Sequence, residues 1–128
     1  MVPRRKSKAP PPPPDCPLKR CMGYISGAWT PNIIWYLEKA PRTFSELKSD
    51  VKGISAKVLS TRLKKLVADG VIDRTVQPTS PPTVEYALTS LGLELKPAIE
   101  AIVAVGHRLK EQREKHHLQS KRHSSAST

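Results

Sequence analysis

The stretch GISAKVLSTRLKKLVADGVIDR, residues 53–74, constrains the fold most, because the hydrophobic period changes inside it. Leu59, Leu63 and Leu66 recur on one helical face, Asp69 and Gly70 stop the pattern, and the residues from Val71 onward alternate as a strand does. A second alternating run, TVEYAL at 83–88, follows QPTSPP. The two runs predict an antiparallel hairpin closed by a proline-containing loop.

Upstream, the punctuation predicts three further helices. LKRCMGYI places Leu18, Cys21, Met22 and Ile25 at helical spacing. TPNIIWYLEKA opens with Thr30 as an N-cap and Pro31 at the first helical position, so a link at Ser26 and Gly27 separates two helices. In TFSELKSDV, Thr43 and Glu46 have capping-box spacing, and Ser55 caps the next helix after a turn at Lys52 and Gly53. Downstream, Thr89 opens a last helix with Leu91, Leu95, Ala98, Ile102 and Leu109 as its apolar stripe; Gly92 and Pro97 are expected to bend its first turns.

The order is four helices, two strands and a helix. Three helices followed by a hairpin are the parts of a winged helix-turn-helix, here with an extra helix at each end. The fold class expected is mainly α with a small β-hairpin, the additional N- and C-terminal helices being available for dimerisation. The expected organisation is a basic, proline-rich arm over 1–15, one folded domain over 16–117 and a disordered polar tail over 118–128.

Charge narrows the partners. The 128 residues hold 22 Lys and Arg against 11 Asp and Glu, a formal +11, which favours polyanions through phosphate neutralisation and counterion release. An anionic membrane surface satisfies the same electrostatics, yet no apolar run approaches the roughly 20 residues of a spanning helix. The start, MVPRRKSKAPPPPPDC, lacks the apolar core of a secretory signal, and the expected location is the cytoplasm. No Gly-rich phosphate loop, HExxH or GxSxG appears, so an enzyme is not expected, nor is a cofactor.

On the helix after Ser55, Lys57, Ser60, Thr61 and Lys64 fall opposite the leucines, a cationic face carrying hydroxyls that suits base edges in a major groove. Arg62 and Lys65 flank that face at positions suited to phosphate, and Arg74 is the cation expected to serve the hairpin, whose loop has none. A merely solvated helix face would show the same residues. The turn before it and the hairpin after it favour the DNA-binding reading over that one.

These elements resemble the HxlR family of bacterial winged-helix regulators across residues 16–92. The matching pieces are Cys16 and Pro17, GxWT at 27–30, FSEL at 44–47, GISxKVL at 53–59, RLKKL at 62–66, DGVIDR at 69–74 and PPxVEYxLTxLG at 81–92. The resemblance implies a homodimer on double-stranded operator DNA, with residues 55–69 in the major groove, the hairpin as wing, and the first and last helices at the dimer interface. The long C-terminal stripe, which a small core cannot cover alone, agrees with this, although folding back on its own domain would also bury it. Where the family often carries a basic residue, this chain has Ala28 and Thr83, and the change at Thr83 weakens the case for wing insertion into the minor groove.

The resemblance also places Cys16 at the position of a thiol that senses oxidants or electrophiles in some family members. Beside Lys19, Arg20 and a helix start, such a thiol would react selectively; the competing reading is a small packed residue, as expected for Cys21. Two cysteines five apart make neither a disulfide scaffold nor a four-ligand zinc site, and the adjacent His116 and His117 diverge on a helix, so no metal is expected. Trp29, Trp35, Tyr36 and Phe44 fit either an effector pocket or core. The resulting function is a sequence-specific regulator of transcription acting as a homodimer, with an oxidant or small-molecule effector; the alternative is a general nucleic-acid-binding or architectural module without sensing.

Overall fold

The computed structural model describes residue 10 and residues 16–126, with side chains through residue 120. The arm expected over 1–15 lies outside the described residues except for Pro10. Helix α1 (Pro17–Ile25) starts with proline at its first position and closes with Ser26 N–H donating to Met22 O at 2.9 Å. Helix α2 (Thr30–Leu37) begins one residue before the sequence-based boundary. Trp29, not Thr30, is its N-cap, with a left-handed backbone at φ 73°, while Thr30 is buried.

Strand β1 (Arg42–Thr43) runs directly into α3 (Phe44–Asp50), where Thr43 and Glu46 form the capping box that their spacing suggests. Arg42 holds this corner, its guanidinium donating to Asp50 Oδ2 at 2.7 Å and to Tyr36 O at 3.3 Å. Helix α4 (Ala56–Ala68) is capped by Ser55 Oγ, which accepts from Val58 N–H at 3.1 Å. Its end is a Schellman turn: Gly70 takes φ +77°, its N–H donates to Val67 O, and Val71 N–H donates to Leu66 O.

Strands β2 (Ile72–Gln77) and β3 (Thr83–Leu88) pair antiparallel, with Arg74 opposite Tyr86. The sheet has three strands in the order β1-β3-β2, so the hairpin gains a short third strand that the sequence pattern did not reveal. Two residues are too few to show alternation; β1 exists through its pairing with Glu85 and Tyr86.

The single C-terminal helix expected from Thr89 divides into α5 (Ser90–Glu94) and α6 (Lys96–Ala126). Pro97 explains the break, since it has no N–H to donate back to Leu93 and its ring crowds that carbonyl. Thr89 caps α5 by accepting from Gly92 N–H, and its hydroxyl lies 2.6 Å from Gly70 O, which ties α5 to the end of α4. Where residues 118–128 were expected to form a disordered tail, α6 continues to Ala126. Past Pro97 the chain has one glycine, Gly106, and no proline, and is rich in Lys, Arg, Glu, Gln, Ala and Leu, which sustain helix.

The core joins α2, α3 and α4 to the sheet and the start of α6. Ile33, Ile34, Leu47, Leu59, Leu63, Leu66, Val71, Ile72 and Ile99 are its fully enclosed side chains. Among the described residues, Ile99 is the last buried one of α6. A helix of 31 residues spans about 46 Å, so most of α6 outruns the body it starts from.

Candidate nucleic-acid interface

Burying Leu59, Leu63 and Leu66 forces the opposite side of α4 outward, and Lys57, Thr61 and Lys64 are exposed there with Ser60 half-buried at the edge. The Thr61 hydroxyl donates to Lys57 O at 3.0 Å, one turn back. Ser55 is exposed, but its side-chain oxygen is occupied by the cap. Among the described residues, no hydrogen bond or ion pair engages the Lys57, Lys64 or Arg74 side chain.

The wing side of α4 forms an open groove of about 310 Å³ lined by Ser60, Leu63, Lys64, Val67, Arg74 and Tyr86. The fold therefore brings Ser60, Lys64 and Arg74, distant in sequence, to one cationic channel. Val67 and Tyr86 were not picked out as site residues; Val67 carried a signal, an exposed apolar side chain off the leucine stripe. At the wing tip, Thr79 Oγ1 donates to Pro81 O at 2.8 Å, and Val76 stands exposed on β2.

The other flank of α4 differs from the expectation that Arg62 and Lys65 meet phosphate. Arg62 Nε donates to Ala28 O at 2.8 Å, and Lys65 Nζ lies 2.7 Å from Asp69 Oδ2 and 3.4 Å from Gly23 O. Both cations are turned toward α1 and the loop after it. Sequence spacing gave their position on the helix but not these backbone acceptors, which come from residues 34 and 42 positions away.

Cys16 is the N-cap of α1, half-buried, and borders an open cleft of about 450 Å³ with Lys19, Arg20, Gly23, Tyr24, Lys65 and Asp69. Cys21 packs against the core, as does each of Trp29, Trp35, Tyr36 and Phe44. Both cysteines are free thiols. Leu18 and Met22 of α1 are exposed, and on α6 Ile102, Val105 and Leu109 line a cleft with Ala101 and Gly106 that is almost wholly apolar. At the end of α2, Glu38 Oε1 is buried with no hydrogen-bond partner among the described residues. Burial pushes its carboxyl above the usual range, Glu100 adds to the rise, and Lys96 and Lys39 oppose it.

Among the described residues there is no cluster of three or more His, Cys, Asp or Glu side chains placed to hold a metal, and no helix is long and apolar enough to cross a membrane.

A capped helix after a tight turn, a paired wing beside it and a cationic groove between them define a winged helix-turn-helix of the kind found in transcriptional regulators. The profile of the HxlR-like helix-turn-helix matches residues 24–114, and the chain belongs to that family. A helix-turn-helix transcriptional regulator of Halalkalibacterium halodurans is 40% identical over 93 residues, covering 72% of this chain and 82% of its own. Among solved structures, the redox regulator HypR in its reduced form superposes with a TM-score of 0.71 at 27% identity, over 77% of this chain and 98% of that one. The reduced form of the transcriptional regulator YodB from Bacillus subtilis gives 0.64 at 31%, over 70% and 89%. The protein is thus a DNA-binding transcriptional regulator with a mainly helical winged fold.

Proposed function

We propose that the protein is a cytoplasmic homodimer that reads a two-fold operator in double-stranded DNA, with the outer face of α4 in the major groove and the wing alongside. The observation that carries this reading is the outward face of Lys57, Thr61 and Lys64, continuous with Ser60 and Arg74 in one groove. Lys57, Ser60 and Thr61 are the base-reading candidates, Lys64 and Arg74 the phosphate contacts, and Ser55 a cap that fixes the start of the reading helix. Dimerisation pairs α1 and α6 with their copies, because Leu18, Met22, Ile102, Val105 and Leu109 otherwise leave apolar surface in water.

A second reading concerns the signal. Two solved relatives are described in reduced and oxidised or diamide-treated forms, and Cys16 lies half-exposed in a cleft that also touches Lys65 of α4. This supports control by an oxidant or electrophile acting at Cys16. The direct test is a gel shift on genomic fragments with excess random duplex as competitor. A site-specific regulator retains one fragment, whereas an architectural or RNA-binding module loses all of them equally.

A further inference from the structure

We propose that Arg62 is a positioning residue: it couples the recognition helix to α1, and through α1 sets the distance between the two DNA-reading faces of a dimer. The inference rests on α4 being the helix that reads DNA and α1 being part of the dimer contact.

Arg62 is half-buried on the flank of α4, and its Nε donates to the Ala28 carbonyl at 2.8 Å. The guanidinium lies over Gly27. A Cβ built there would stand 3.5 Å from Arg62 Cζ and 3.2 Å from Thr30 Oγ1, so a residue without a side chain leaves the guanidinium its place, and at φ +108° the backbone asks for glycine as well. The same loop is fastened at a second point. Trp29, in its left-handed conformation, lays its ring edge on Gly53 at the turn before α4, close enough that a Cβ on Gly53 would be 3.4 Å away. One turn along α4, Lys65 reaches Gly23 O at 3.4 Å while also paired to Asp69.

The end of α1 and the link after it are thus fastened to α4 by Arg62 and Lys65 and to the turn before α4 by Trp29. Ala28 stands three residues past Ile25, the end of α1, so the bond from Arg62 anchors the link from which α1 departs. A backbone carbonyl fixes direction as well as distance, and the planar guanidinium meets it with a donor whose orientation is set by the side chain. Lysine at position 62 keeps the charge but replaces the fixed Nε–H of the planar guanidinium with a freely rotating ammonium on a different stem, so the bond to Ala28 O loses its set direction. This separates positioning from phosphate contact, where the charge itself is what counts.

The test uses the full chain, a duplex selected from a randomised pool by the wild type, and the same duplex with its half-sites moved one base pair closer or farther apart. Arg62→Met and Arg62→Lys are compared with Lys64→Ala, each checked by circular dichroism and assayed well below its melting midpoint. Both Arg62 variants should bind the parent duplex about tenfold more weakly. They should also lose most of the wild type's discrimination between spacings and keep its slope of log affinity against log salt. Lys64→Ala should do the reverse, keeping the spacing preference and losing slope. A slope that falls by roughly 0.9 per protomer in Arg62→Met and recovers in Arg62→Lys would make Arg62 a phosphate contact and overturn the proposal. So would wild-type affinity and spacing preference in both variants. A wild type that selects no motif from the pool would remove the DNA-reading assignment itself, and this inference with it.

Discussion

Arg74 stands directly opposite Tyr86 in the β2–β3 register, and the two side chains share a groove with Lys64 of α4. The wing and the recognition helix therefore present cations to the same channel, although the wing loop itself carries neither Lys nor Arg. Removing one such cation should weaken binding to all DNA sequences alike. Arg74→Ala and Lys64→Ala should each lower the salt slope by roughly 0.9 per protomer, measured by titrating affinity between low and moderate salt. An unchanged slope would place the side chain off the phosphates.

The apolar row on α6 makes a separate prediction about assembly. Val105 and Leu109 are 44% and 64% exposed, values that water tolerates poorly for neighbouring large side chains. Leu109→Asp should shift the chain from dimer to monomer in sedimentation at micromolar concentration. It should weaken operator binding at least tenfold while leaving the fold intact, since Leu109 is exposed and lies ten residues beyond the buried Ile99.

Cys16 and Cys21 are both half-buried; Cys16 borders the cleft shared with Lys65, and Cys21 packs against the core. Treatment with peroxide or a quinone should change operator affinity of the wild type and leave Cys16→Ser unaffected, with Cys21→Ser behaving as wild type. Equal responses in wild type and Cys16→Ser would discard Cys16 as the sensor.

Gly92 tests the packing that holds α5 under the end of α4. A Cβ there would collide with the Val71 carbonyl oxygen and come within 2.9 Å of Leu88 Cδ2. That carbonyl also accepts Thr89 N–H at 3.0 Å, so it cannot simply move aside. Gly92→Ala should cost roughly 1–3 kcal/mol in urea unfolding.

Glu38 gives stability a dependence on pH. Burial and Glu100 raise its folded pKa above the unfolded value, so the stability linked to its proton is complete below the unfolded pKa and is lost as pH rises through the folded one. Glu38→Gln should therefore be more stabilising in urea unfolding at about pH 7 than at about pH 3.5. A constant difference at both pH values would contradict the assignment.

Much of this architecture was legible because local chemistry decided it. Thr43 with Glu46, Ser55, Gly70 and the alternation of TVEYAL each act within a few residues, and the structure places each in the element its chemistry favours. What escaped the sequence depends on distant partners. Arg42 and Thr43 become a strand only when β3 lies beside them, and the flank of α4 acquires its role from the carbonyls of Ala28 and Gly23. Residues 118–126, where low sequence complexity suggested a disordered tail, continue α6, and no proline follows Pro97.

The most direct measurement is site selection from randomised duplex DNA by the wild type and by the Lys57→Ala, Thr61→Ala double variant, followed by footprinting of the winning sequence. The wild type should enrich a two-fold motif whose half-sites are protected on one face of the duplex, about 34 Å or a multiple apart. The double variant should lose base preference at matched positions in each half-site. Enrichment of the same motif with the same base preferences by both proteins would show that the outer face of α4 does not read DNA.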